Sequence, residues 1–183
     1  MEDKPLSDLS WDQEVKELQL ALSGNRLAVQ SIVRRLSKPA FYLAYKTVLN
    51  VSDAEDSVQE AFYHLWNSKN QFQGKSSLKT YFLRIVLNAC FTALRKRKDF
   101  LWEEEENFSQ DENSLIANSD AISDSIDIQT AIARLSTRQR TAITLWAYFD
   151  YSSKEIGDMM DLNKNAVDQL INRAKQRLRK YLI

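Results

Sequence analysis

Lys164, Asn165, Asp168, Gln169, Asn172, Arg173 and Arg177 recur at helical spacing near the end of a 183-residue chain, which puts them together on the outer half of a helix. Asn, Gln and Arg are the side chains that pair bidentately with adenine or guanine edges in a major groove, and Lys175, Arg177, Arg179 and Lys180 add charge directed at phosphate. Ala166, Val167, Leu170, Ile171, Ala174 and Leu178 fill the opposite face. The segment therefore reads either as a DNA-reading helix or as an ordinary amphipathic one. Bond-making chemistry finds no comparable set. His64 is the sole histidine and Cys90 the sole cysteine, which argues against a transition-metal site, a histidine-based triad and a disulfide framework. Three glycines cannot build a Gly-rich phosphate loop. No catalytic residue, metal ligand or cofactor is expected.

A second set of polar residues is acidic. Asp53, Asp56, Gln59 and Glu60 share the outer face of a segment whose inner stripe is Val58, Ala61, Phe62, Leu65 and Trp66. Ser52 with Glu55 has the capping-box spacing that opens such a helix. Taken alone, the acids are carboxylates favoured by the helix dipole on a solvated face. A third set lies on a polar connector from Asn67 to Ser77, which contains Phe72, Gly74 and Lys75, and on the helix after it. From Leu78 to Arg97 apolar residues cover most of the circumference, with Thr80, Arg84, Asn88, Thr92 and Arg95 as a narrow polar stripe. So wide an apolar surface predicts the central strut of a domain, with Cys90 as a buried structural thiol. The run Arg95 to Lys98 complements a helix C-terminus or meets a phosphate backbone.

The elements that must position these sets are helical throughout. Trp11, Val15, Leu18 and Leu22 predict a first helix stopping at Gly24; a second runs from Leu27 to Val48, where Pro39 should kink or divide it near Ser37. Ile126 to Leu135, a helix opened by Ser136 with Gln139, and one opened by Ser152 with Glu155 precede the turn Asp161-Leu162-Asn163 and the last helix, which together describe a helix-turn-helix. Between the halves, residues 99–127 hold ten carboxylates and no Lys or Arg, whereas residues 1–98 carry 15 basic and 10 acidic side chains and residues 128–183 carry 10 and 5. The expected fold is all-α: two small helical domains, 1–98 and 128–183, joined by a flexible acidic linker at 99–127. No stretch approaches the apolar length that spans a bilayer, and Glu2 and Asp3 stand where a signal peptide would be positive, so a cytoplasmic location is expected.

Three blocks in series resemble one family, the bacterial extracytoplasmic-function sigma factors, minimal two-domain sigma subunits of RNA polymerase. They are Asp53-Ala-Glu-Asp-Ser-Val-Gln-Glu-Ala-Phe62; Gly74-Lys-Ser-Ser-Leu-Lys-Thr-Tyr-Phe-Leu-Arg-Ile85 on through Asn88 to the basic run; and Leu135-Ser-Thr-Arg-Gln-Arg140 leading to Ser153-Lys-Glu-Ile156, Ala166-Val167 and Arg173-Ala-Lys-Gln-Arg-Leu-Arg179. The resemblance implies a transcription initiation factor without chemistry of its own. It implies that Asp53, Asp56, Gln59 and Glu60 dock on the clamp helices of the polymerase largest subunit. Lys75, Ser76, Lys79, Thr80, Arg84 and Asn88 would recognise and melt the minus-ten element, with Phe72 either stacking on a base turned out of the duplex or anchoring its loop to the core. The helix-turn-helix would read the minus-thirty-five element of promoter DNA and contact the flap of the second-largest subunit. Asp168 departs from the commoner pattern, standing where many members carry a cation; a carboxylate there repels phosphate and accepts only from a cytosine amino group. The linker would thread near the RNA exit path of the polymerase core as a polyanion in a cationic channel, and an anti-sigma factor would bury the same faces in the inactive state. The rival reading is a sigma-like mimic that sequesters an anti-sigma factor without binding DNA.

Overall fold

A computed structural model describes residues 10–67, 72–102 and 128–182, and of the expected acidic linker at 99–127 the part from 103 to 127 lies outside them. Among the described residues every regular element is an α-helix: α1 Trp11–Leu22, α2 Arg26–Val48, α3 Val51–Asn67, α4 Leu78–Trp102, α5 Ile128–Ala133, α6 Thr137–Phe149, α7 Ser153–Met160 and α8 Lys164–Leu182. α4 runs four residues past the expected boundary at 98, so the strut includes the first part of the stretch read as linker.

Local signals fix most helix ends. The expected capping boxes at Ser136 and Ser152 are present, and Asn163 accepts from the amide of Ala166 at 2.8 Å to open α8. α3 differs. Its cap is Asn50, whose Oδ1 accepts from the amide of Asp53 at 3.0 Å, and Ser52 lies inside the first turn. The cause is Leu49, which ends α2 in the left-handed conformation and leaves the very next residue to start the following helix. Pro39 does not divide α2, which is one helix of 23 residues. Its missing N–H removes a single backbone bond, while Leu36, Ala40, Leu43 and Ala44 around it are fully buried. Burial of those four outweighs that loss.

α4 is the strut that its sequence predicts: Leu78, Phe82, Leu83, Val86, Leu87 and Cys90 are all fully buried against α2 and α3. Its start is held from a distance. Glu14 on α1 is buried and its Oε2 accepts from the amide of Leu78 at 2.8 Å, while the Ser77 hydroxyl accepts from the amide of Thr80 at 3.1 Å. Gly74, at φ +67°, lays the connector on α1; a Cβ there would come within 3.1 Å of the Val15 side chain. These contacts set where residues 72–77 sit before α4.

In the second half, α7 and α8 cross at a tight turn. Gly157 makes it possible, because a Cβ on it would lie 2.5 Å from the carbonyl oxygen of Leu162, a backbone atom whose own amide is bonded to the Gly157 carbonyl at 2.9 Å. Gly157→Ala should therefore destabilise this module by about 1–3 kcal/mol. A melting curve beside that of the parent checks it; an unchanged midpoint refutes the close approach.

The two halves pack against each other. Buried residues of both form one continuous hydrophobic cluster, with α6 against α2 and α7 against α4.

Candidate nucleic-acid interface

The outer face of α8 is open. Lys164, Asn165, Gln169, Asn172 and Arg173 are exposed, while Val167, Ile171 and Ala174 are buried against α6 and α7. Asn165, Gln169 and Asn172 therefore follow one another along a single solvent-facing stripe. Asp168 is half-buried, and its Oδ1 accepts a hydrogen bond from the Ser153 hydroxyl at the start of α7. This carboxylate ties α8 to α7. Arg177 is exposed but not idle: its NH1 donates to Gln139 Oε1 at 3.1 Å, bracing the start of α6. Lys175 sits with Nζ 3.6 Å from the centre of the Trp146 ring, a cation–π contact that keeps its charge on the module surface.

The residues expected on the downstream DNA face are distributed less simply. Phe72 is 8% exposed and packs with its ring centre 5.2 Å from that of Tyr81. Of its two alternatives, loop anchor is the position it holds here. Lys75 is exposed and Ser76 half-buried at the connector's tip. Lys79, Thr80 and Arg84 line one side of α4, and each touches the other module. Lys79 Nζ stands 5.2 Å from the Phe149 ring centre, the Thr80 and Tyr151 hydroxyls lie 3.0 Å apart, and Arg84 pairs with Asp161 at 3.0 Å. Burial pushes the Tyr151 hydroxyl pKa up, so it remains a neutral hydrogen-bond partner.

Asn88 is exposed one turn further along, in an open groove of about 390 Å³ between α3 and α4. Glu60, His64, Asn67, Tyr81 and Thr92 share its lining. The groove thus joins Asn88 from the expected DNA set to Glu60 from the acidic set. On α3 itself Asp56, Gln59 and Glu60 are exposed; Glu60 makes only a loose pair with His64 at 3.6 Å. Asp53 is engaged with Arg97 of α4 at 3.4 Å, so one member of the basic run closes back on the acidic face. Cys90 is inert: burial pushes its thiol up to about 11 despite a hydrogen bond with Ser57.

Several residues that shape these faces carry no local signal. Arg140, Thr47, Thr141 and Tyr151 all act on residues distant in sequence, and Ser153 on the neighbouring helix. The one available hint was Arg140 on the inward side of α6, one turn before Ile143.

Comparison with known proteins covers both halves. Residues 32–100 match the family model of sigma-70 region 2 and residues 125–178 that of sigma-70 region 4. The ECF RNA polymerase sigma factor SigW of Bacillus subtilis is 28% identical over 178 residues, covering 91% of this chain and 95% of the relative. SigG of Mycobacterium tuberculosis is 27% identical over 161 residues, 73% of this chain; the chain spans only 43% of that longer relative. Among solved structures, the sigma factor RpoE in complex with the anti-sigma factor NepR from Bartonella quintana superposes with a TM-score of 0.66 at 22% identity, over 84% of this chain and 95% of that one. CnrH in complex with the cytosolic domain of CnrY gives 0.62 at 21%, over 91% and 95%. These two share the fold.

Proposed function

This chain belongs to the sigma-70 family, in its extracytoplasmic-function branch, and from that premise we propose that it binds RNA polymerase core and directs it to a specific class of promoters. Polymerase carries out the chemistry; this chain supplies readout and strand capture. The observation that carries the reading is the exposed stripe Asn165, Gln169, Asn172 and Arg173 on the second helix of a helix-turn-helix, a set that a mere mimic of a sigma factor has no need to display. Residues 1–98 are the docking and melting domain in this reading, 128–183 the upstream-reading domain, and 99–127 the joint between them. Asp53, Asp56, Gln59 and Glu60 face the polymerase clamp. Lys75, Ser76, Lys79, Thr80, Arg84 and Asn88 face the minus-ten element, with Phe72 holding the connector in place behind them. The superposing sigma factor RpoE is in complex with the anti-sigma factor NepR, and CnrH with the cytosolic domain of CnrY; the first supports an anti-sigma partner here too. No described helix is long and apolar enough to cross a membrane.

Core polymerase plus this protein, run on a pooled promoter library, should produce transcripts that core alone does not. If no template gains a transcript, the initiation reading fails. The upstream helix makes a finer prediction. Arg173→Ala should cost about 1–3 kcal/mol and relax preference at one upstream position, as loss of a bidentate guanine contact does. Arg177→Ala should instead weaken all sequences alike and lower the salt slope by about one unit. Its bond to Gln139 adds a small loss of melting temperature. Binding-site selection at two salt concentrations separates the pair, and identical behaviour of both variants would remove the base-reading assignment. Because Asp168 is held by Ser153, Asp168→Ala should also loosen the α7–α8 crossing.

A further inference from the structure

Three residues of α1 make a seat for the connector that precedes α4. Gly74 passes over two of them, where a Cβ would lie 3.6 Å from the Trp11 carbonyl oxygen and 3.1 Å from the Val15 side chain, and the third, Glu14, reaches the amide of Leu78 at 2.8 Å. Positions 11, 14 and 15 fall on one face of a single helical turn. Glu14 is the unexpected member, because a carboxylate is costly to bury unless it is paired. Its counter-charge comes from α2. Arg35 Nη2 stands 3.9 Å from Glu14 Oε1 and 2.6 Å from Glu17 Oε2, and the Ser31 hydroxyl donates to Glu17 Oε1 at 2.7 Å. One guanidinium thus serves two carboxylates of α1 and fixes the one that meets α4. An apolar side chain would fill the same space, and such exchanges of buried ion pairs often leave stability unchanged or raised. What only the acceptor supplies is a fixed point for the first amide of α4, a free donor at the positive end of that helix's dipole.

That point lies in the middle of the set assigned to strand capture. Lys75 and Ser76 come just before Leu78, and Lys79 and Thr80 just after it. Phe72 holds the far end of the connector through Tyr81. We propose that Glu14 is a positioning residue for strand capture: it pins the start of α4 to α1 and so sets Lys75 and Ser76 in register with the polar side of α4, with Arg35 holding its charge in place. The proposal rests on the reading of α4 as the strand-capturing helix. A binding set of this kind works only when a second layer of contacts holds it in place, and α1 supplies that layer.

Glu14→Met keeps the length of the side chain and loses the acceptor, whereas Glu14→Gln keeps the acceptor and loses the charge. Each full-length variant, combined with core polymerase, is titrated with a fluorescent single strand carrying the minus-ten element of a promoter taken from the library. Glu14→Met should capture the strand about tenfold more weakly, as when about nine-tenths of the molecules hold the connector elsewhere. Glu14→Gln should stay within about threefold of the parent, since the bond to the Leu78 amide survives. Affinity for core should be the same in all three, because the acidic docking face is on α3 and takes no part in the seat. Gly74→Ala strains the seat from the connector side, at φ +67° and against Val15, and should weaken capture in the same way with Glu14 intact. It decides the matter if Glu14→Met does not fold. Capture by Glu14→Met or Gly74→Ala equal to the parent's, a Gln variant as weak as the Met variant, or a core affinity that falls in step with capture overturns the proposal. If the parent holoenzyme itself takes up no strand, the reading of α4 is what falls; if the parent does and the variants match it, only the role of Glu14 falls.

Discussion

Replacing Asp56 and Glu60 with lysine should abolish binding to core polymerase while lowering the melting temperature by only a few degrees. Both side chains are exposed on α3, one turn apart, and neither supports the core. Glu60 has only its loose pair with His64, an exposed contact of the kind that contributes about 0–1 kcal/mol. Asp53 is left in place because its pair with Arg97 ties α3 to α4. The double change converts two negative charges into two positive ones on the patch proposed to meet the polymerase, and if the partner surface is cationic, like-charge juxtaposition at the interface costs several kcal/mol. That is enough to remove a micromolar complex. Pull-down with core enzyme beside a melting curve decides the matter. Retained binding would return these acids to a solvated face, and collapse of the fold would make them structural.

The helix-turn-helix was legible because its signals are local. Ser136 with Gln139, Ser152 with Glu155, and Asn163 ahead of Ala166 are contacts three residues apart, and sequence spacing alone describes them. The buried stripe of α4 was equally plain, since a wide apolar surface has one use in a small domain. Asn50 and Ser52 are both good caps, and the choice between them was made by Leu49, whose left-handed backbone no periodicity reveals. Pro39 shows the reverse failure. A strong local rule predicted a kink or a division, and with burial on both sides of the proline the helix is not divided. The polar assignments on α4 were legible as a stripe, but their contacts with Phe149, Tyr151 and Asp161 were not. Those contacts join residues some seventy positions apart, about which spacing is silent.

Arg140→Ala should be the most destabilising single change outside the apolar core, at about 3–5 kcal/mol. Truncation removes the Arg140 donor from three carbonyls at once: those of Lys46 and Thr47 at the end of α2, and that of Leu135 before α6. All three bonds lie in buried surroundings, so water cannot readily replace the guanidinium. Burial pushes the Arg140 pKa down to about 10, still well above neutrality, so the group is charged under any ordinary assay and its bonds are charge-assisted. Arg140→Lys separates charge from shape. An ammonium keeps the interaction with the α2 dipole but cannot span carbonyls on two helices, so it should recover only a minority of the loss. Two measurements locate the damage. If Arg140 chiefly closes the junction, small-angle scattering should show Arg140→Ala expanding at temperatures where helical circular dichroism is still intact. If the Leu135 bond dominates, helicity and compactness should fall together. A variant that melts and scatters like the parent would show that the three carbonyls find other donors, and that the aromatic stack of Tyr42 with Tyr148, the buried Thr47 and Thr141 and the α4 contacts hold the junction without Arg140.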